Sequence, residues 1–313
     1  MTSIVIPAHN EAPVIGRLLD SLLADSVPED DTDILVVCNG CTDETAQVAA
    51  ARGPRVRVVE IPVPSKHAAL RAGDDHARSF PRVYVDADVV ITGAGVRALV
   101  EPLEDEASGI LATAPAREIP LAACAWRVRA YYQVWQRLSA VREGLFGRGV
   151  VAVSKSGHAR IAALPPLMAD DLAASLAFTP AERRVVDSAA VVIQPPRTWP
   201  DLIRRRIRAA VSTAQVEQNQ AERSQGERSR GEPSRGEPSR GETSQGETSQ
   251  GPGEASARTS TADLRAMLRR EPGLLPHLVV FLAAAVVARR GAKKAIRAQD
   301  FGTWLRDESS RQN

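Results

Sequence analysis

Three cysteines in 313 residues, Cys38, Cys41 and Cys124, are too few and too odd in number for a disulfide framework, and a reducing cytoplasm suits them. Charge of one sign is also missing: the formal net charge is only +2. With no aromatic-interleaved basic patch and no zinc-finger spacing, a nucleic-acid partner is not expected. The start, Met1 to Pro7, lacks a basic region followed by a long apolar stretch, so no signal peptide is expected. Aromatics make up only 4% of the chain, yet Trp126, Tyr131, Tyr132 and Trp135 fall close together. What remains is 43% hydrophobic and 25% charged, enough apolar material for a real core with an ordinary soluble surface.

Residues 3 to about 115 alternate short β-rich runs with amphipathic stretches. Strands are expected at Ser3–Ile6, Asp33–Val37, Val56–Ile61, Val83–Val85 and Ile110–Ala114. Helices are expected at Val14–Leu23, Glu44–Ala51, Lys66–Arg78 and Val96–Leu103. This rhythm implies an α/β fold, a mostly parallel sheet flanked by helices. Ligands of such sheets bind beyond the carboxyl ends of the strands. Further on, Pro120–Arg142 reads as one helix carrying the clustered aromatics, most simply as a packed face. A loop at Gly144–Gly149, a strand at Val150–Val153, an acidic pair Asp170-Asp171 opening a helix, an apolar run Ala189–Ile193 and a basic helix Trp199–Ala214 follow.

From Ser224 a five-residue repeat built on Ser, Arg or Gln, Gly and Glu takes over, with no apolar residue except proline up to Gly251. Such a composition cannot offset the entropy of ordering, so a disordered linker is expected over 216–260. Beyond it, Leu274–Ala288 is apolar and Arg289, Arg290, Lys293, Lys294 and Arg297 follow. The apolar run looks shorter than the roughly 20 residues that crossing a bilayer takes. Two readings of segment 261–313 stand side by side: a helix on the anionic inner face of the plasma membrane, or one docked in a groove of the domain.

Four polar clusters follow strand ends in order: Pro7-Ala8-His9-Asn10-Glu11, Cys38-Asn39-Gly40-Cys41-Thr42-Asp43, Pro64 to Gly73 with Lys66, and Asp86-Ala87-Asp88. Two carboxylates closing an apolar run are costly unless a cation or donor waits there. In an extended segment alternate side chains share a face, so Asp86 and Asp88 would converge on one ligand. A hard divalent ion bridging to a diphosphate is the natural candidate.

In this ordered combination the chain resembles the glycosyltransferase family 2 enzymes with the GT-A fold. A strand into P-x-x-N-E is matched by Ser3–Glu11, and a strand into D-(D/N)-G-S-T-D by Leu35–Asp43. The D-x-D motif is matched by Asp86-Ala87-Asp88 and the acidic pair by Asp170-Asp171. The likeness spans residues 1 to 215, with 1–115 as a nucleotide-binding half and 116–215 as an acceptor and catalytic-base half. It implies a nucleotide-sugar donor contacted by Pro7, Ala8, Glu11, Asn39, Lys66, Asp86 and Arg206, and Mg²⁺ or Mn²⁺ on Asp88. It implies Asp171 as general base, with Asp170 orienting or substituting, and inverting transfer of one sugar to a lipid-linked or envelope-glycan acceptor.

Two departures bear on that expectation. Cys38 stands where the family often has an aspartate credited with holding uracil, which weakens the case for UDP and leaves a catalytically inactive nucleotide-sugar binder as an alternative. The Q-x-x-R-W mark of processive synthases is absent, and Ile203-Arg204-Arg205-Arg206-Ile207-Arg208 stands in its place. Cys38-Asn39-Gly40-Cys41 also scans as a redox C-x-x-C, and Gly93-Ala94-Gly95-Val96-Arg97-Ala98 as a dinucleotide fingerprint. The first lies inside the transferase signature, and the second follows the fourth strand rather than the first.

Overall fold

The computed structural model describes residues 1–24, 32–164, 174–211, 213–214 and 261–297. The acidic pair Asp170-Asp171, the repeat segment 216–260 and residues 298–313 lie outside the described residues.

Seven strands form one sheet in the order β3-β2-β1-β4-β6-β5-β7. They are β1 (Thr2–Ala8), β2 (Thr32–Asn39), β3 (Val56–Ile61), β4 (Arg82–Val85), β5 (Ala112–Glu118), β6 (Val150–Val153) and β7 (Arg183–Val192). Only β6 runs antiparallel to its neighbours, β4 and β5, so six strands point the same way. The first two strands are buried almost throughout, as expected of parallel strands covered on both faces. One face packs Ile4, Ile6, Val36 and Val83 under α1 (Ala12–Ala24) and α4 (Gly93–Glu104) through Ile15, Leu18, Leu19, Leu99 and Leu103. On the other, Leu35 and Val37 meet Ala69 of α3 (Lys66–His76). The short α2 (Thr45–Ala50) links β2 to β3.

The chain leaves β1, builds outward through β2 and β3, then returns to place β4 on the other side of β1. A crevice opens outside the strand ends where the order reverses in this way, between β1 and β4. Ala8 and Asp86 stand at that point.

A second apolar cluster forms where α5 (Trp126–Trp135) meets helix 199–211, helix Thr261–Arg270 and the C-terminal helix Leu275–Arg297. Tyr131 stacks on Phe281 with ring centroids 5.2 Å apart. Residues 261–297 therefore dock on the domain, as one of the two readings of this segment has it. Counted with the short turn before it, Pro272–Arg297 runs 26 residues with a mean hydropathy of 1.7 over its most apolar window, by length and composition enough to cross a bilayer, contrary to the shorter run expected.

Other differences have local causes. The single helix expected over Pro120–Arg142 is two, α5 and α6 (Ser139–Glu143), because the chain turns at Leu138. Ala189–Ile193 is the tail of a ten-residue strand whose polar front half hid it; between Pro115 and Ala116 the register of β5 on β7 shifts. Asp86 and Asp88 do not lie in extended backbone. The strand ends at Val85, and Val89 N–H donates to the Asp86 carbonyl at 3.4 Å, closing a turn.

Candidate active site

Beyond the ends of β1 and β2 two loops interlock. Asn10, in the left-handed region at φ 54°, accepts the Thr42 N–H on its side-chain oxygen at 2.8 Å. Asn39, 3% exposed, donates its amide to the Ala8 carbonyl at 2.8 Å. Cys41 Sγ donates to the same carbonyl at 3.4 Å and accepts the Asn10 N–H at 3.4 Å. The carboxylate of Asp43 accepts the N–H of Ala12 and both N–H and hydroxyl of Thr45, while Thr45 Oγ1 accepts the Glu11 N–H at 2.8 Å. Burial raises the Asp43 pKa, but these donors outweigh it and the carboxyl is held below its ordinary value. Thus Asp43 and Thr45 join the start of α1 to the start of α2, a brace that the motif alone did not announce.

Pro7 and Ala8 are buried within β1, so what they offer a ligand is backbone. Glu11 is 9% exposed at the entry to α1. Cys38 is 1% exposed, and burial followed by the nearby Cys41 pushes its thiol up to about 12. A thiol so reluctant to ionise is a poor redox nucleophile, which argues against the C-x-x-C reading.

Across the crevice, Lys66 and Asp86 form an ion pair with Nζ 2.8 Å from Oδ1. Ser65 caps α3 by accepting the Ala68 N–H, so Lys66 is the first helical residue. The helix dipole then adds to the positive charge of its ammonium. The Asp86 N–H donates to the Gly149 carbonyl at 2.7 Å, and Gly149 has φ 66°. A Cβ on Gly149 would stand 2.6 Å from Val89 Cγ1, so only glycine fits beside the carboxylate turn. Asp88 is exposed at the tip, with Ala87 and Val89 buried on either side.

The loop carrying Gly149 is held by Arg148, which is 2% exposed. Its guanidinium donates to the carbonyls of Gly144, Pro115, Val141 and Arg142. Burial pulls its pKa down to about 10, opposed by Asp187. Sequence reasoning passed over Arg148; its only signal was an arginine between two glycines. The guanidinium of Arg206 lies 5.8 Å from the centre of the Tyr131 ring, a member of the second apolar cluster.

Below Asp86 on the same face of β4 a second polar set ties this strand to α3. Arg82 and Tyr84 donate to Asp74 Oδ1 at 2.6 and 2.7 Å, and His158 Nε2 lies 3.2 Å from Asp74 Oδ2. Burial opposes ionisation of Asp74, but these three partners win and lower its pKa. A cavity of about 510 Å³, lined by Met1, Thr32, Arg55 and Glu104, lies at the opposite edge of the sheet, where the strands begin. It lies at the other end of the strands from the carboxylates.

Among the described residues no group of three or more His, Cys, Asp or Glu side chains is placed to hold a metal alone. Two carboxylates one residue apart, one of them exposed, leave most positions around a hard cation to other oxygens. The donor set fits an ion shared with a phosphorylated ligand, not one caged by protein.

The glycosyl transferase family 2 model matches residues 3–159, half of the 313-residue chain. The chain belongs to this family. Its family 2 segment takes in every strand end described above except that of β7. A curated relative, 4,4'-diaponeurosporenoate glycosyltransferase of Staphylococcus aureus, is 40% identical over 92 residues, 28% of this chain and 24% of that protein. The chain thus matches about a quarter of that relative's length. Among solved structures, a mannosyltransferase of Pyrobaculum calidifontis in complex with GDP-Man and Mn²⁺ superposes with a TM-score of 0.55 at 19% identity. That match covers 99% of this chain and 81% of the other. At that identity the likeness speaks for the fold, and the fold is GT-A.

Proposed function

We propose that this family 2 protein is a metal-dependent, inverting glycosyltransferase. It moves one sugar from a nucleotide-diphosphate donor to a lipid-linked or envelope-glycan acceptor, at the cytoplasmic face of the plasma membrane. The observation that carries the reading is the Lys66–Asp86 pair, with Asp88 exposed beside it, at the switch point of the sheet. The catalytic unit is residues 1–215, with 216–260 a tether to segment 261–313.

In this reading the nucleotide lies against the backbone of Pro7 and Ala8 and beside Glu11, over the interlocked loops that Asn39 holds together. Asp88, assisted by Asp86, holds Mg²⁺ or Mn²⁺; when bound, the ion neutralises charge building on the departing diphosphate. Lys66 exchanges its partner Asp86 for a phosphate oxygen, so the resting ion pair keeps the ammonium in position until the donor arrives. Asp171 takes the proton of the acceptor hydroxyl, with Asp170 orienting it. The hydroxyl oxygen attacks the anomeric carbon from the face opposite the leaving diphosphate, and configuration inverts. Arg206 meets the diphosphate from the acceptor half.

The test is release of free nucleotide from a panel of nucleotide sugars, with and without Mn²⁺, by the full chain and by Asp88→Ala. Ion-dependent release by the wild type and its loss in the variant, with an unchanged melting profile, is expected. Ligand-induced thermal stabilisation without any turnover would point to an inactive binder. Undiminished turnover by Asp88→Ala would remove the metal assignment.

A further inference from the structure

The C-terminal helix is docked along one side only, and its other side is built for a different medium. Leu278, Phe281, Ala284, Ala288 and Ala292 are buried against the domain. Gly291 brings the helix close to helix 199–211: a Cβ there would stand 2.5 Å from Ile207 Cδ1. On the opposite side Leu275, Val279, Leu282 and Val286 follow one another at the spacing of a single helical stripe, and all are exposed, Val279 to 62%. The stripe continues without changing face through Arg290, Lys293 and Arg297, flanked by Arg289 and Lys294, all exposed. No acidic residue occurs between Glu271 and Asp300, and among the described residues none of these five cations is ion-paired. At the apolar end stands Trp126 of α5, 53% exposed, its ring 6.5 Å from that of His277.

A contiguous apolar stripe left uncovered marks an interaction surface. Its charge pattern selects among occupants. A second copy laid parallel would bring the same five cations together, and one laid antiparallel would set them against the other copy's apolar turns, whereas a lipid surface bearing phosphates would neutralise them. We propose that this stripe, with Trp126, is a lipid-binding surface for an anionic bilayer. The helix enters at a tilt, with its first three turns in the acyl boundary and its basic turns among the headgroups. The apolar part, Leu275 to Val286, is about 17 Å long, enough to dip into one leaflet. Spanning is disfavoured, because a crossing helix would have to strip Phe281 from Tyr131 and open the second apolar cluster. This deepens the proposed function, since it supplies the surface from which a lipid-linked acceptor is reached. The attachment is topologically direct. β5 and β7 both deliver their chains at the edge that bears Asp86, into α5 and helix 199–211, and Val90 beyond Asp88 bridges to Val192 at 3.0 Å.

The experiment is flotation of the full chain with vesicles of phosphatidylcholine alone or mixed with phosphatidylglycerol. The mixed vesicles should bind it and the neutral ones bind it at least about tenfold more weakly, as expected if a few cations each contribute near the surface. Val279→Asp with Leu282→Asp should cost more than about tenfold in binding at any salt concentration. Replacing Arg290, Lys293 and Arg297 by Gln should cost a similar factor at low salt and little at high salt. Trp emission should move to the blue on binding in the wild type and not in Trp126→Phe. Equal binding to both vesicle types, unaffected binding by the double aspartate variant, or resistance to alkaline carbonate extraction would overturn the proposal. So would self-association that the aspartates abolish in the absence of any vesicle binding. Nucleotide release from a soluble donor by the helix variants, and vesicle binding by Asp88→Ala, keep this failure distinct from failure of the enzymatic reading.

Discussion

Lys66 Nζ stands 2.8 Å from Asp86 Oδ1, joining the first residue of a helix to the first residue beyond a strand across the sheet's switch point. Both side chains are more than a third exposed, 37% and 39%. An ion pair so wet contributes little to stability, about 0–1 kcal/mol. In the proposed reading its value lies in the ammonium it offers a donor phosphate.

Lys66→Ala should accordingly leave the urea midpoint almost unchanged while raising the donor KM about tenfold, the value of one charge-assisted contact to phosphate. Steady-state kinetics beside equilibrium unfolding separates the two effects. A large loss of stability with an unaltered KM would make the pair structural.

Gly149 and Gly109 form a matched comparison. Both have positive φ, 66° and 68°, but a Cβ on Gly149 strikes Val89 while nothing lies within 4 Å at Gly109. Gly109→Ala should cost about 1 kcal/mol, backbone strain alone. Gly149→Ala should cost about 3 kcal/mol and lower turnover, because the Gly149 carbonyl holds the Asp86 N–H. Denaturant melts of the two variants, read with one activity assay, decide it.

Arg148→Met removes the donor to four backbone carbonyls without removing much volume. The expected cost is about 3 kcal/mol, since buried acceptors are left unsatisfied. Arg148→Lys should rescue little of it, as an ammonium cannot reproduce the planar fork. Hydrogen exchange confined to the 141–149 loop would report the damage directly.

The carboxyl of Asp74 has its folded-state pKa lowered by His158, Tyr84 and Arg82. A depressed carboxylate pKa contributes stability that is present above its unfolded value, near pH 4, and is lost as pH falls through the lower folded value. Asp74→Asn should therefore destabilise the protein at neutral pH and make its acid-unfolding curve shallower below about pH 4. Parallel curves for variant and wild type would sink that assignment.

Much of the nucleotide-side architecture was legible in the chain because it is local. Val14 to Leu22 carry a helical stripe, and Ile4 to Ile6 and Leu35 to Val37 are buried strands. What pattern could not supply were partners remote in sequence. Asn39 holding Ala8, Asp43 bracing Ala12, and Gly149 seated under Asp86 each join segments some thirty or more residues apart. The expected convergence of Asp86 and Asp88 by strand alternation gave way to a turn, which the Val89 N–H closes on the Asp86 carbonyl. Asp170 and Asp171 lie outside the described residues, so their role stays a proposal.

By itself the sequence determined that four polar clusters would follow four strand ends of a parallel sheet, since side-chain periodicity and breaker residues act over a few residues. Only the tertiary structure decided which of those residues meet: Lys66 with Asp86, Arg148 with the loop beside them, and the C-terminal helix with α5. Contacts of that kind depend on how helices and strands stack in three dimensions, and burial is a property of the assembled whole. One face of the last helix is apolar because the domain covers it, and the other is apolar although the domain does not. The chain alone shows the same residues for both.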